Sequence, residues 1–276
     1  MPRSRRNSLR PAALVAAILL TGAPASADSL SDGRQLAGDY FVGASVFLFE
    51  RTVLAAFAPP EINGTEADAT LDAGAIIFAR EKADDESGSV ALQAILGWLD
   101  AWLSLESKNP GSPAPPGFDP ARRHRLACLA YGADPEVSTE LAAHIALGAD
   151  ERKACIARYL EARQQWLAWL QPFQKSAGAP APIHTAPDGA PAEGTPMLRL
   201  AYAPTVDEAD QAIADALREN GLFQVLADDL NATLAPPRPV TVLLTQCGEA
   251  KAFYNAERGE AVLCYEMLGA LVQAAP

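Results

Sequence analysis

The residues of this chain able to bind a metal, attack a bond or move a proton are three histidines, four cysteines and a scatter of carboxylates. His124, His144 and His184 are the only imidazoles, and none has another histidine three or four residues away. Histidines at i and i+4 share one helix face and can meet on one metal ion; isolated ones read as surface or capping residues, and His184, in a proline-rich stretch, as solvated. Cys128, Cys155, Cys247 and Cys264 contain no Cys-x2–4-Cys pair that would let one turn present two thiolates to zinc. There is no Gly-x-Ser-x-Gly elbow for a serine nucleophile. Glu249 and Glu266 flank the C-terminal cysteines and could divide acid and base roles if their surroundings separate their pKa values. No sugar-stacking aromatic cluster accompanies them, which argues against a glycosidase.

Compartment decides what the cysteines do. Arg3, Arg5, Arg6 and Arg10 precede the apolar run Ala12 to Leu20 and then Ala25-Ser26-Ala27, the small-x-small pattern of a signal-peptidase site. Residues 1–27 are therefore expected to be a signal peptide, and the mature chain to be periplasmic or secreted. The apolar run is too short for a membrane span, which needs about 20 residues, so no integral membrane segment is expected in the mature chain. Arg5-Arg6 also resembles a twin-arginine signal, although Ser8 stands where a bulky apolar residue is preferred; Sec and twin-arginine routes both stay open. In an oxidising compartment four cysteines point to two disulfides. Of three possible pairings, the sequence-local Cys128–Cys155 and Cys247–Cys264 each fall inside one predicted unit and are the expected ones. With 22 Lys and Arg against 34 Asp and Glu, the chain lacks the basic surface that nucleic-acid binding requires.

The elements that would position these residues are mostly helices. Gln35 to Phe57 is almost continuously apolar, Glu66 to Arg80 sets Ala69, Ala73, Ile76 and Ile77 at helical spacing, and Val90 to Leu105 repeats the rhythm. Arg122 to Tyr131 and Asp150 to Leu170 read as further helices that a Cys128–Cys155 bridge would join, with Trp166 and Trp169 as packing residues. Two proline-rich stretches, Lys108 to Pro120 and Ser176 to Pro196, can be neither helix nor central strand. The second reads as a linker over 176–196, separating a helical lobe at 28–175 from a second lobe at 197–276. In that lobe Asp207 to Glu219 and Leu222 to Thr233 are helical by pattern, with Asn220-Gly221 between them. Pro239 to Thr245 reads as a strand, Ala252 to Tyr254 and Glu260 to Cys264 as a hairpin, and Tyr265 to Ala274 as a closing helix. The expected fold is α+β, predominantly helical and two-lobed, with a small strand and hairpin unit stapled by the Cys247–Cys264 disulfide.

The block Gln246-Cys247-Gly248-Glu249-Ala250-Lys251-Ala252-Phe253-Tyr254, followed by Leu263-Cys264-Tyr265-Glu266-Met267, resembles a bacterial family of exported metallopeptidase-like proteins, DUF4344. Phe41 to Ala69 and Cys128 to Glu136 are similar to N-terminal segments of the same family. The resemblance implies a zincin-like lobe over 28–175. A zincin carries His-Glu-x-x-His on a helix, where the histidines hold zinc and the glutamate activates water. Here the matching residues are Phe49-Glu50-Arg51-Thr52-Val53. Glu50 remains as a vestigial general base, but phenylalanine and valine cannot ligate a metal. A third ligand would come from the segment that Gly64 to Ala69 resembles, where Glu66 and Asp68 remain acidic.

The resemblance with this departure implies an exported, non-catalytic member, a pseudoenzyme that binds a peptide, a protein or an envelope component. No cofactor is expected; zinc would be expected only if the family site were intact. The alternative is an active metal-dependent hydrolase with a rearranged site drawn from Glu50, Glu66, Asp68 and His124. A third reading is a purely structural envelope protein. Glu50 itself is expected to pair with a basic residue such as Arg51 or to reach solvent, because an unpaired buried acid is costly to ionise. The i, i+4 spacing puts Phe49 and Val53 on one face, with core packing as the default.

Overall fold

The computed structural model describes residues 27–58, 64–82, 86–108, 118–175 and 197–275. Residues 1–26 of the expected signal peptide, the linker at 176–196, His184 and most of the first proline-rich stretch lie outside the described residues, as do the side chains of Glu66 and His144.

The N-terminal part is a helical assembly: α1 (Ala27–Leu54), α2 (Gly64–Glu81), α3 (Glu86–Lys108), α4 (Pro120–Ala133), the short α5 (Thr139–His144) and α6 (Ala149–Leu170). A helix that is apolar all round belongs in a core, and every residue of α1 from Tyr40 to Leu54 is buried. It packs against α2 and α3 and reaches the C-terminal strands and final helix. Gly43 makes the closest approach: a Cβ there would stand 1.9 Å from the carbonyl oxygen of Ala94 on α3. Phe47, Trp98, Trp102 and Phe118 form one aromatic cluster, with Phe47 and Trp98 centroids 5.1 Å apart and Phe118 edge-on to both tryptophans. Asp119 starts α4 by accepting the Arg122 backbone N–H, and Pro120 takes the first helical position, where a missing N–H costs nothing.

The C-terminal part adds β1 (Leu198–Tyr202), α7 (Glu208–Asn220), α8 (Leu222–Thr233), β2 (Val240–Thr245), β3 (Ala252–Asn255), β4 (Glu260–Cys264) and α9 (Tyr265–Ala274). The strands form one sheet in the order β1-β2-β4-β3, with the first three parallel and β3 antiparallel at the edge. Asp207 caps α7 by accepting from Ala209 and Asp210, and Gly221 ends it at φ 70°, the left-handed conformation expected of Asn220-Gly221. In β2, Val240, Val242 and Leu244 alternate inward, whereas Ala261 to Cys264 of β4 are all buried, as befits a strand covered on both faces. The mostly helical α+β class, with its small sheet in the C-terminal part, is the expected one. Strand β1 had no counterpart in the sequence. One buried cluster runs from Tyr40 to Leu271, so the N-terminal helices and the sheet share a core.

Both expected disulfides are present. Cys128–Cys155 joins α4 to α6, and Cys247–Cys264 ties the loop after β2 to the end of β4. Trp166 is buried, and its indole N–H donates to the Thr70 carbonyl of α2 at 2.9 Å.

Candidate functional site

Phe49 to Val53 occupy the last turns of α1, where the helix passes into the shared core. Phe49 is fully buried, its ring 5.0 Å from that of Phe223 on α8, and Val53 is equally enclosed. Neither lines a groove; the default of core packing holds. Glu50 is 3% exposed, and its Oε2 has no hydrogen-bond partner. Burial pushes its carboxyl well above the ordinary range, Asp229 adds to the shift, and Lys82 opposes it. Lys82 is itself ion-paired to Asp229, Nζ to Oδ1 2.7 Å. The expectation that Glu50 be paired or solvated is therefore not met. It lies in the core with its carboxyl pKa raised by burial, because Lys82 is ion-paired to Asp229 and the adjacent Arg51 projects from a different side of the helix.

Arg51 points toward the acids of α2. Its Nε donates to Asp72 Oδ1 at 2.8 Å, and its Nη2 forms an ion pair with Asp68. Asp72, 2% exposed, is also gripped by Arg122 of α4, Nε to Oδ2 at 2.7 Å and Nη2 to Oδ1 at 2.6 Å. The Arg122 guanidinium lies 4.3 Å above the Phe118 ring. Two guanidinium groups thus meet two carboxylates, with Asp72 buried between Arg51 and Arg122 and Asp68 at the exposed edge of the cluster. Asp72 and Arg122 were not singled out in the sequence. Asp72 had one signal, its i+4 spacing from Asp68 on the same helix face; Arg122 had none.

The other candidates sit apart from this cluster. His124 Nε2 is 2.8 Å from Glu151 on the half-exposed face between α4 and α6. At the end of the sheet, Glu249 forms an ion pair with Lys251, while Glu266 accepts the backbone N–H groups of Cys247 and Gly248. Burial raises the Glu266 pKa, but backbone N–H bonds, including those from Cys247 and Gly248, outweigh it and hold the carboxylate below its ordinary value. The two acids are engaged by different partners, so no shared-proton pair is formed.

Residues 202–275 match the DUF4344 family model, described as "Putative metallopeptidase". The match covers the disulfide block from Gln246 to Met267; the Phe49 to Val53 segment lies outside it. No curated protein and no solved structure matches the chain. A metallopeptidase implies a bound metal, and the donor set around Glu50 does not fit one. Phe49 and Val53 offer only carbon, burial disfavours the charged form of Glu50 that a metal would need, and Asp68 is held by Arg51, a cation that would repel a metal ion. Among the described residues, the one group of three His, Cys, Asp or Glu ligand atoms that converges is Cys247, Cys264 and Glu266, two of which share a disulfide.

Proposed function

We propose that this chain is an exported, non-catalytic relative of the metallopeptidase-like family matched by residues 202–275, acting as a peptide- or protein-binding accessory protein of the cell envelope. The observation that carries this reading is the placement of Phe49 and Val53 in the core, at the spacing where two histidines would hold zinc, with Arg51 ion-paired to Asp68 and Asp72 of α2. Two disulfides and the N-terminal arginine-then-apolar pattern support export. None of the described helices is long and apolar enough to cross a membrane.

The sheet supplies the binding element. Strand β3 pairs with β4 alone, and α1 packs beside both. Cys264 donates to the Lys251 carbonyl, which in an antiparallel ladder makes Phe253 and Asn255 the hydrogen-bonded positions and turns the N–H and C=O groups of Ala252 and Tyr254 outward. An extended peptide adds to such an edge through main-chain hydrogen bonds.

The test is to purify residues 28–276 from an oxidising compartment without a His tag and measure transition-metal content, peptide cleavage and peptide binding. Near-zero metal, no chelator-sensitive cleavage and binding of extended peptides are expected, and Ala252→Pro should abolish binding while leaving the circular dichroism unchanged. One equivalent of tightly held zinc with chelator-sensitive cleavage would replace this reading with that of an active hydrolase with a rearranged site.

A further inference from the structure

Strands β1, β2 and β4 run parallel and end together at Tyr202, Thr245 and Cys264. Ligands of open sheets of this kind sit beyond the carboxyl ends of the strands. At that end Cys247 lies two residues past β2 with Gln246 between, Cys264 is the N-cap of α9, and Glu266 stands in the first turn of α9. The two sulfurs and a carboxylate oxygen of Glu266 all lie within 4.8 Å of one another. Glu266 is held in place by main-chain donors: Oε1 accepts from Cys247 N at 3.0 Å and Gly248 N at 2.6 Å, and Oε2 accepts from Cys247 N at 3.1 Å. A carboxylate has about four acceptor positions, so these bonds leave Oε2 able to ligate, and fixed outer hydrogen bonds are what orient a metal-ligating side chain.

In the oxidised protein the sulfurs are bonded to each other and are poor ligands, because metals bind the thiolate. A dithiol reductant changes that. One of its thiolates attacks the half-buried Cys247 sulfur and the S–S bond breaks. The reductant's second sulfur then closes its own disulfide, and two electrons and two protons end on Cys247 and Cys264 as thiols. Two thiols and a carboxylate this close cannot all ionise without a cation. A divalent metal displaces the two thiol protons and neutralises the trio, and the N-terminus of α9 favours the thiolate of Cys264.

We propose that reduction of Cys247–Cys264 opens a zinc-class metal site at the carboxyl end of the sheet, with Cys247 Sγ, Cys264 Sγ and a Glu266 oxygen as its protein donors, and that the disulfide is a redox gate on that site. Two thiolates select zinc over magnesium or calcium, and three protein donors leave a fourth position for water. The other disulfide is an internal control. Arg158 Nη1 lies 3.9 Å from Cys128 Sγ, and that guanidinium opposes a bound cation. The site is independent of the Phe49–Val53 segment, so the non-catalytic reading, tested on oxidised protein, stands or falls separately.

The experiment treats the full mature chain with dithiothreitol, removes the reductant anaerobically and titrates with Co2+ and then Zn2+, following near-ultraviolet absorption and far-ultraviolet circular dichroism. The expected result is one equivalent of Co2+ with a thiolate-to-cobalt charge-transfer band, displaced by Zn2+ and absent from the oxidised protein. Glu266→Gln should weaken Co2+ binding by about ten-fold or more, and Cys128→Ala with Cys155→Ala should leave it intact. Any of four results overturns the proposal: a folded, reduced protein without the band, a reduced chain whose lost helical signal Zn2+ does not restore, a band that survives Cys247→Ser with Cys264→Ser, or unchanged affinity in Glu266→Gln.

Discussion

Burial without a hydrogen-bond partner disfavours the charged form of a carboxyl group, and Glu50, whose Oε2 has none, is such a group. Its folded-state pKa lies above the unfolded value of about 4.3, so the folded protein binds one more proton than the unfolded chain between the two values. Stability from this site is highest below about pH 4.3 and falls as pH rises toward the folded pKa, by about 1.4 kcal/mol for each pH unit in that window. Glu50→Gln should remove that part of the slope and leave the protein at least as stable near neutrality. Urea melts of both proteins from pH 5 to pH 8 check this; parallel pH profiles would refute it. Asp72 makes the opposite case, a buried charge with two cationic partners. Removing one partner leaves the carboxylate under-neutralised, so Arg122→Met should cost about 3 kcal/mol of unfolding free energy, read from the shift of the urea midpoint at unchanged slope. The residue types around Glu50 were readable from the sequence, but their pairing was not. Arg51 adjoins Glu50 in the chain and serves Asp72 and Asp68, twenty-one and seventeen residues away, because neighbouring positions on a helix point in different directions.

At the scale of elements, α1 organises the fold. It contacts α2, α3, α9 and the β3–β4 hairpin, and its approach to α3 depends on the missing side chain of Gly43. Gly43→Ala would place a Cβ against a backbone carbonyl that has no rotamer to yield, so the helices must separate. A loss of about 1–3 kcal/mol is expected in thermal or urea unfolding, despite the better helix propensity of alanine; a stabilised variant would show that the contact is looser than described. The sheet elements divide by the kind of signal they carry. Strand β2 and the β3–β4 hairpin showed in their apolar runs and intervening turn residues. Strand β1 did not, because five residues with Arg199 among them carry little pattern of their own and become a strand by pairing in parallel with β2, some forty residues on.

For the whole molecule, the disulfides and the shared core set the stability. Cys128–Cys155 closes a loop of 27 residues between α4 and α6, so Cys128→Ala with Cys155→Ala should lower the unfolding free energy by about 2–5 kcal/mol, measured in urea without reductant. An unchanged midpoint would mean that helix packing alone holds α4 to α6. The helical α+β class and the two cysteine pairings could be read from the chain, as could the absence of any metal donor in the side chains of Phe49 and Val53. Periodicity, spacing and side-chain chemistry are local properties, and a phenylalanine cannot ligate a metal in any fold. Which charges meet was decided by tertiary structure alone: Glu50 enclosed with its pKa raised by burial and by Asp229, Asp72 held between Arg51 and Arg122, and Glu266 brought against two cysteine sulfurs. Ion pairing and burial depend on which helices come within a few ångströms of each other, and that distance is set by packing across many tens of residues rather than by any short stretch of sequence.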